Sequence, residues 1–256
     1  MLRPPLLFIH GMWSTPHVWD WFADRYRAAG HAVHVPALPY HDVDPAEPPS
    51  PILASIGVQD YADAVAAVVR TLPESPVIVG HSMGGMLAQK VAEATGARGL
   101  VLLSPAPTAD TQSISLAPLR TVFGIAVKRQ WWKQPTKIDA EHARWGIFNE
   151  VPYDIANAEI AKLVWDSGRV LFQISMPWAD KTRAARVDYG KLSMPALVVV
   201  GDRDRITPIS VARATARALT GHTDYREIMG AGHWLFHDPI REKVAAEMDA
   251  FLKTLG

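Results

Sequence analysis

The chain contains no cysteine. That excludes disulfides, thiolate metal sites and a cysteine nucleophile, and it fits a reducing compartment without requiring one. Charge of either sign is not in excess, with 26 Lys and Arg against 26 Asp and Glu and a formal net charge of zero. Composition therefore provides no footing for a nucleic-acid partner or for stable membrane association. Long apolar runs are missing as well. None approaches the roughly 20 residues of a membrane-spanning helix, and the N-terminal stretch "MLRPPLLFIHG" is too short even for a signal-peptide core, so a cytoplasmic enzyme is expected. There is no G-x-G-x-x-G after a strand and no P-loop. His31, His34 and His41 form no spaced set with nearby acids. Neither a cofactor nor a metal is implied.

What is present is 256 residues, 48% of them hydrophobic and 20% charged, enough for a sizeable core in one domain. Short apolar runs alternate with helical periodicities. Leu6–Ile9 is followed by Trp19, Phe22 and Tyr26 at helical spacing and then by Ala32–Val35. Val65, Val68, Val69 and Leu72 share a helical face ahead of Val77–Val79, and a helix through Leu87 and Val91, closed by Gly96, leads to Leu100–Leu103. The rhythm resumes with Ala196–Val200, a helix from Pro208 to about Leu219, a strand over Tyr225–Met229 and a last helix carrying Ile240, Val244, Met248, Phe251 and Leu255. Strands that are apolar throughout, separated by amphipathic helices, predict an α/β fold with a doubly wound, mostly parallel sheet of about six strands.

Between Pro107 and Lys191 the rhythm breaks into helical patches (Ile160, Leu163 and Val164; Leu171 and Ile174) with no clear strand. The expected organisation is a core of residues 1–106 and 191–256 with a helical cap inserted at 107–190. Five of the nine tryptophans fall in the insertion: Trp131, Trp132, Trp145, Trp165 and Trp178. They either pack the cap on itself or give a substrate pocket an apolar wall. The proline-rich tract Pro36–Pro51 reads as a surface loop.

The stretch Gly80-His81-Ser82-Met83-Gly84 is G-x-S-x-G, directly after an apolar strand and directly before a helix. A sharp strand-to-helix turn brings neighbouring backbone too close for a Cβ at the positions flanking its apex, which glycine relieves. The same turn holds the serine hydroxyl at a helix N-terminus, where N–H groups favour developing negative charge. A serine nucleophile needs a base, and the base an orienting acid. Asp202 and Asp204 lie in "GDRDRITP" after one strand, and His233 and His237 in "GAGHWLFHDP" after the last. His10 and His81 adjoin glycine motifs and are expected to orient loops by hydrogen bonding.

These motifs, in the order Ser, Asp, His, resemble the α/β-hydrolase superfamily in its compact, capped serine esterase- and lipase-like branch. The resemblance covers nearly the whole chain outside the insertion. It implies Ser82 as nucleophile, Asp204 as the acid of a G-x-x-D-x-x-x-P turn, and His233 as the base. His10-Gly11 resembles the oxyanion loop, which implies the backbone N–H groups of Met12 and Met83 as oxyanion donors, with Trp13 in the pocket wall. The family's two leading antiparallel strands have no counterpart, so six parallel strands are expected.

The activity so implied is hydrolysis of carboxylic esters with apolar acyl or aromatic groups, the partner being a small apolar ester. Thioesterase, amidase, C–C bond hydrolase or perhydrolase chemistry could use the same groups. So could a receptor-like member of the fold that turns nothing over.

Overall fold

A computed structural model of the chain describes residues 3–113 and 115–256. Its strands are β1 (Leu6–Ile9), β2 (Val33–His34), β3 (Val77–His81), β4 (Gly99–Leu103), β5 (Pro135–Thr136), β6 (Asp166–Ser167), β7 (Ala196–Gly201) and β8 (Thr223–Ile228). The helices are α1 (Asp20–Ala28), α2 (Val58–Thr71), α3 (Met83–Thr95), α4 (Leu116–Ala126), α5 (Ala140–Gly146), α6 (Tyr153–Ala161), α7 (Gly168–Ser175), α8 (Ile209–Ala218) and α9 (Ile240–Thr254). Six strands form one sheet in the order β2-β1-β3-β4-β7-β8, every neighbouring pair parallel. This is the doubly wound sheet that the apolar runs predict.

The strand chemistry follows from cover on both faces. Every residue of β1, β3, β4 and β7 is buried, whereas the edge strand β8 buries only Ile228. On one face Phe8, Val79, Val101 and Val199 pack with Phe22 and Tyr26 of α1 and Val244 and Met248 of α9. On the other, Ile78, Leu100 and Val198 pack with Tyr61 and Val65 of α2, Leu87 and Val91 of α3 and Ala212 of α8. Among the described residues, no helix is long and apolar enough to cross a membrane.

The strand order reverses at β1, which has β2 on one side and β3 on the other. Chains leaving the carboxyl ends of two such strands diverge and open a crevice. The register sets Ile9 opposite Gly80, so Gly11 and Ser82, two residues further on, stand level at that crevice.

Residues 104–195, between β4 and β7, carry α4 to α7, and the described ones contribute nothing to the large sheet. Contrary to the purely helical reading of this segment, β5 and β6 pair antiparallel, Thr136 opposite Asp166. Two-residue strands leave no periodicity to read. Side-chain caps set helix starts here: Asp139 accepts from the His142 N–H and Ser167 from the Val170 N–H.

Candidate active site

Ser82 sits at the turn between β3 and α3 with φ 55° and ψ −123°, a conformation costly for a residue with a Cβ. Backbone bonds hold it there. Its N–H donates to Leu103 O at 3.0 Å, and its carbonyl accepts from Gly85 N–H at 2.9 Å and Ala106 N–H at 2.8 Å. The flanking glycines are obligatory, because a Cβ on Gly80 would lie 2.1 Å from Gly84 O and one on Gly84 2.1 Å from Ile9 O. Those are backbone atoms in packed strands and helix, with no side chain to swing away.

Asp204 and His233 come from the loops after β7 and β8. His233 Nδ1 lies 2.8 Å from Asp204 Oδ2, and both side chains are buried. Asp204 Oδ1 accepts the N–H groups of Ile206 at 2.9 Å and Thr207 at 2.8 Å, while the Thr207 hydroxyl stands 2.7 Å from Oδ2. Burial alone would raise the carboxyl's pKa. The imidazole beside it and the Thr207 donors more than offset this, and Asp204 is held below the usual carboxylate range. Asp202 points elsewhere, accepting the Gly230 N–H at 2.6 Å and so tying the two loops together. His237 is buried, and burial lowers its pKa.

His81 and His10 hold loops in place, as expected of residues beside glycine motifs. His81 Nε2 donates to the His233 carbonyl at 2.9 Å. Burial, then the neighbouring His233, lowers its pKa to about 3, so it stays neutral. His10 Nδ1 donates to Gly11 O at 2.9 Å and its Nε2 accepts the Leu38 N–H at 3.2 Å. It too is pushed down to about 3, by burial and then by His41.

Ser82 and His233 line one cavity of about 130 Å³. Its wall includes Met12, Trp13 and Met83 from the core and Pro118, Val122, Leu163 and Leu171 from the 104–195 segment. Among the described lining residues none is Asp, Glu, Lys or Arg, so the cavity disfavours a charged group.

The tryptophan expectations divide. Trp13 is in the wall, but Trp131, Trp132, Trp145, Trp165 and Trp178 are not. Trp131 is buried against Trp132 and Phe172, with ring centroids 5.9 and 6.3 Å away. Trp145 has two guanidiniums over its ring, Arg120 at 4.3 Å and Arg205 at 5.0 Å from the ring centre. Trp165 is half-buried, and Trp178 is 78% exposed. The 104–195 segment supplies branched aliphatic side chains and prolines to the wall instead, and the second tryptophan there is Trp234, beside His233 in the chain.

Behind the wall lies a buried polar cluster that no motif announces. Asp166 is wholly buried. Its Oδ2 accepts the Trp13 N–H at 3.0 Å, and its Oδ1 accepts the Tyr61 hydroxyl at 2.8 Å and the Ser167 N–H at 2.6 Å. His41 Nε2 stands 3.1 Å from Oδ2, close enough for strong attraction but not aligned as a hydrogen bond. Burial opposes both charges, yet each sustains the other: Asp166 is held below its usual pKa and His41 above. Trp13 has φ 59°, and the hydrogen bond to Asp166 fastens this strained loop to the inserted segment. Trp13, Tyr61, His41 and Asp166 are not legible as a set in the sequence, because each comes from a different part of the chain.

A parallel sheet with this strand order and a serine at the β3–α3 turn defines a class of α/β fold. Residues 6–246 match the Alpha/beta hydrolase family, and the chain belongs to that family. Over 92 residues it is 35% identical to the pimeloyl-[acyl-carrier protein] methyl ester esterase of Aromatoleum aromaticum. That match covers 36% of this chain and 32% of the relative, so only about a third of the relative's length is spanned. Two solved structures are similar throughout. A methylesterase from Arabidopsis has TM-score 0.71 at 12% identity, covering 96% of this chain and 98% of its own. A monoacylglycerol lipase from Paleococcus ferrophilus has TM-score 0.68 at 21% identity, covering 98% and 96%.

Proposed function

We propose that the protein is a serine hydrolase of carboxylic esters, working through Ser82, His233 and Asp204. The observation that carries this reading is the buried 2.8 Å contact of His233 Nδ1 with Asp204, made by an imidazole that shares a cavity with Ser82. His233 takes the Ser82 proton as the hydroxyl attacks the ester carbonyl, and returns it to the departing alcohol. Water, deprotonated by the same imidazole, then releases the acyl group. Asp204 is poised to stay ionised, keeping a proton on Nδ1 and stabilising the imidazolium. Met83 opens α3, where an N–H precedes any intrahelical acceptor, and the Met12 N–H has no protein acceptor among the described residues. Both are free to donate to the oxyanion.

The segment 107–190 acts in this reading as a cap that excludes water and shapes the pocket. The uncharged wall and small volume favour short apolar or aromatic groups at one end of the ester: a cavity of about 150 Å³ accommodates benzene. The relatives named as esterases agree with this choice over amide or C–C chemistry. The experiment is a fluorophosphonate label alongside turnover of ester, thioester and anilide substrates by wild type and Ser82→Ala. The expected result is labelling and ester turnover in the wild type alone. Turnover of the variant within a few-fold of wild type refutes the mechanism, and labelling without turnover of any substrate points to a receptor.

A further inference from the structure

Among the described residues, nothing covers an apolar face of helix α4. Leu116, Leu119, Phe123 and Val127, at the end of the helix, recur at three- and four-residue spacing and are 80%, 62%, 59% and 63% exposed. They form a strip about 16 Å long. Around the helix from this strip, Thr121 and Ile125 are buried and Pro118 and Val122 reach the cavity. Exposed apolar residues scattered singly are ordinary, but four in register along one helix mark a surface that meets something.

Along the chain around the strip the charge is mostly positive, although the Asp139 carboxylate stands against Gly124 of α4. Between Asp110 and Asp139 the chain carries Arg120, Lys128, Arg129, Lys133 and Lys137 and no acidic residue, although its net charge overall is zero. Lys128, Arg129 and Lys133 are exposed, and Trp132 beside Lys133 is 39% exposed. Lys137 is spoken for, donating to Pro45 O at 3.0 Å.

We propose that α4 and the turn after it dock reversibly on an anionic lipid surface, the apolar strip entering the interface and Lys128, Arg129 and Lys133 meeting the phosphate headgroups. An apolar helix face joined to cations and a half-exposed tryptophan has the chemistry of an interfacial anchor. The cations that follow the strip complement an anionic surface, which selects this occupant; a second copy of the chain is one of the outcomes that the test separates. Because Pro118 and Val122 of the same helix line the cavity, docking brings the cavity to the lipid phase. An ester dissolved in lipid can then reach it without crossing water. This goes beyond the ester-hydrolase reading and does not depend on it, because docking is measured on the resting protein.

The test is co-sedimentation of the full chain with vesicles of equal parts phosphatidylcholine and phosphatidylglycerol, and with vesicles of phosphatidylcholine alone, at low and high salt. Binding to the anionic vesicles is expected, weakening about fivefold per cation in Lys128→Gln and Arg129→Gln. Phe123→Ser is expected to bind about tenfold or more weakly, since a ring no longer enters the interface. Wild-type melting temperatures, and wild-type turnover of a water-soluble acetate ester if the chain hydrolyses one, show that the variants are folded. No sedimentation with anionic vesicles overturns the proposal. So does undiminished binding by Phe123→Ser, a dimer in light scattering that Phe123→Ser dissolves, or capture of a soluble acidic protein without vesicle binding.

Discussion

Asp166→Asn is the perturbation that tests how the loop carrying Met12 is held. The change keeps the side chain's shape but removes a wholly buried negative charge facing His41, and it sets an amide NH₂ or a lone carbonyl where Oδ2 accepts the Trp13 N–H. Leaving one member of a buried ion pair uncompensated costs about 3–5 kcal/mol. For a chain of this size each kcal/mol shifts the melting temperature by about 2–4 °C, so a fall of at least about 6 °C is expected. Asparagine can still accept from Tyr61 and Ser167, which places the result toward the lower end. Catalysis should suffer separately. If Met12 moves by about 1 Å with the freed loop, kcat/KM for p-nitrophenyl acetate falls by up to about 100-fold with little change in the ester-length profile.

The pH dependence carries its own sign. Asp166 has its folded pKa lowered, so its contribution is present above the usual 3.8 and is lost as pH falls through the folded value. His41 has its folded pKa raised, so its contribution is present below the usual 6.5 and is lost as pH rises through the folded value. The stability gap between wild type and Asp166→Asn should therefore be widest between about pH 4 and 6.5 and narrow on either side. Differential scanning calorimetry across pH reads it. A melting temperature within about 2 °C of wild type throughout refutes the idea that this ion pair fastens the loop.

Asp204→Asn and His233→Ala should each lose activity by roughly 10⁴-fold or more, whereas Asp202→Asn and His237→Ala stay within a few-fold in the same p-nitrophenyl acetate assay. Asp202 asks only for a carbonyl-type acceptor toward Gly230 N–H, which asparagine supplies. Gly84→Ala should not yield soluble protein, since its Cβ meets the Ile9 carbonyl, while Gly96→Ala, at φ 72° with open space around it, should cost about 1 kcal/mol in urea unfolding. Across p-nitrophenyl esters, kcat/KM should rise about fourfold per carbon from acetate and level off by about hexanoate, when the cavity is full. A profile falling from acetate onward rejects the apolar acyl pocket.

Local pattern sufficed wherever the physics is local. Leu6–Ile9, Val77–His81 and Ala196–Gly201 are buried on both sides, and only a parallel sheet between helix layers asks that of consecutive residues. The elbow was legible because its clashes involve a few residues adjacent in sequence or in paired strands, and glycine leaves a visible mark at each. Asp204 and His233 could be named as candidates because both follow strands that end at the same sheet edge, and the family resemblance preferred them to Asp202 and His237. Two-residue β5 and β6 could not be seen, and neither could the fate of the tryptophans. A side chain's choice between the cavity wall and the interior of the 104–195 segment depends on how α4 to α7 pack, and pattern alone is the same for both. The Asp166, His41, Tyr61 and Trp13 cluster lies further still from local pattern. Its members are up to 153 residues apart, and a buried carboxylate reads in the sequence like a surface one. Burial gives it its charge partner and its role, and burial belongs to the tertiary structure, where desolvation makes each group's state depend on neighbours the chain brings from elsewhere.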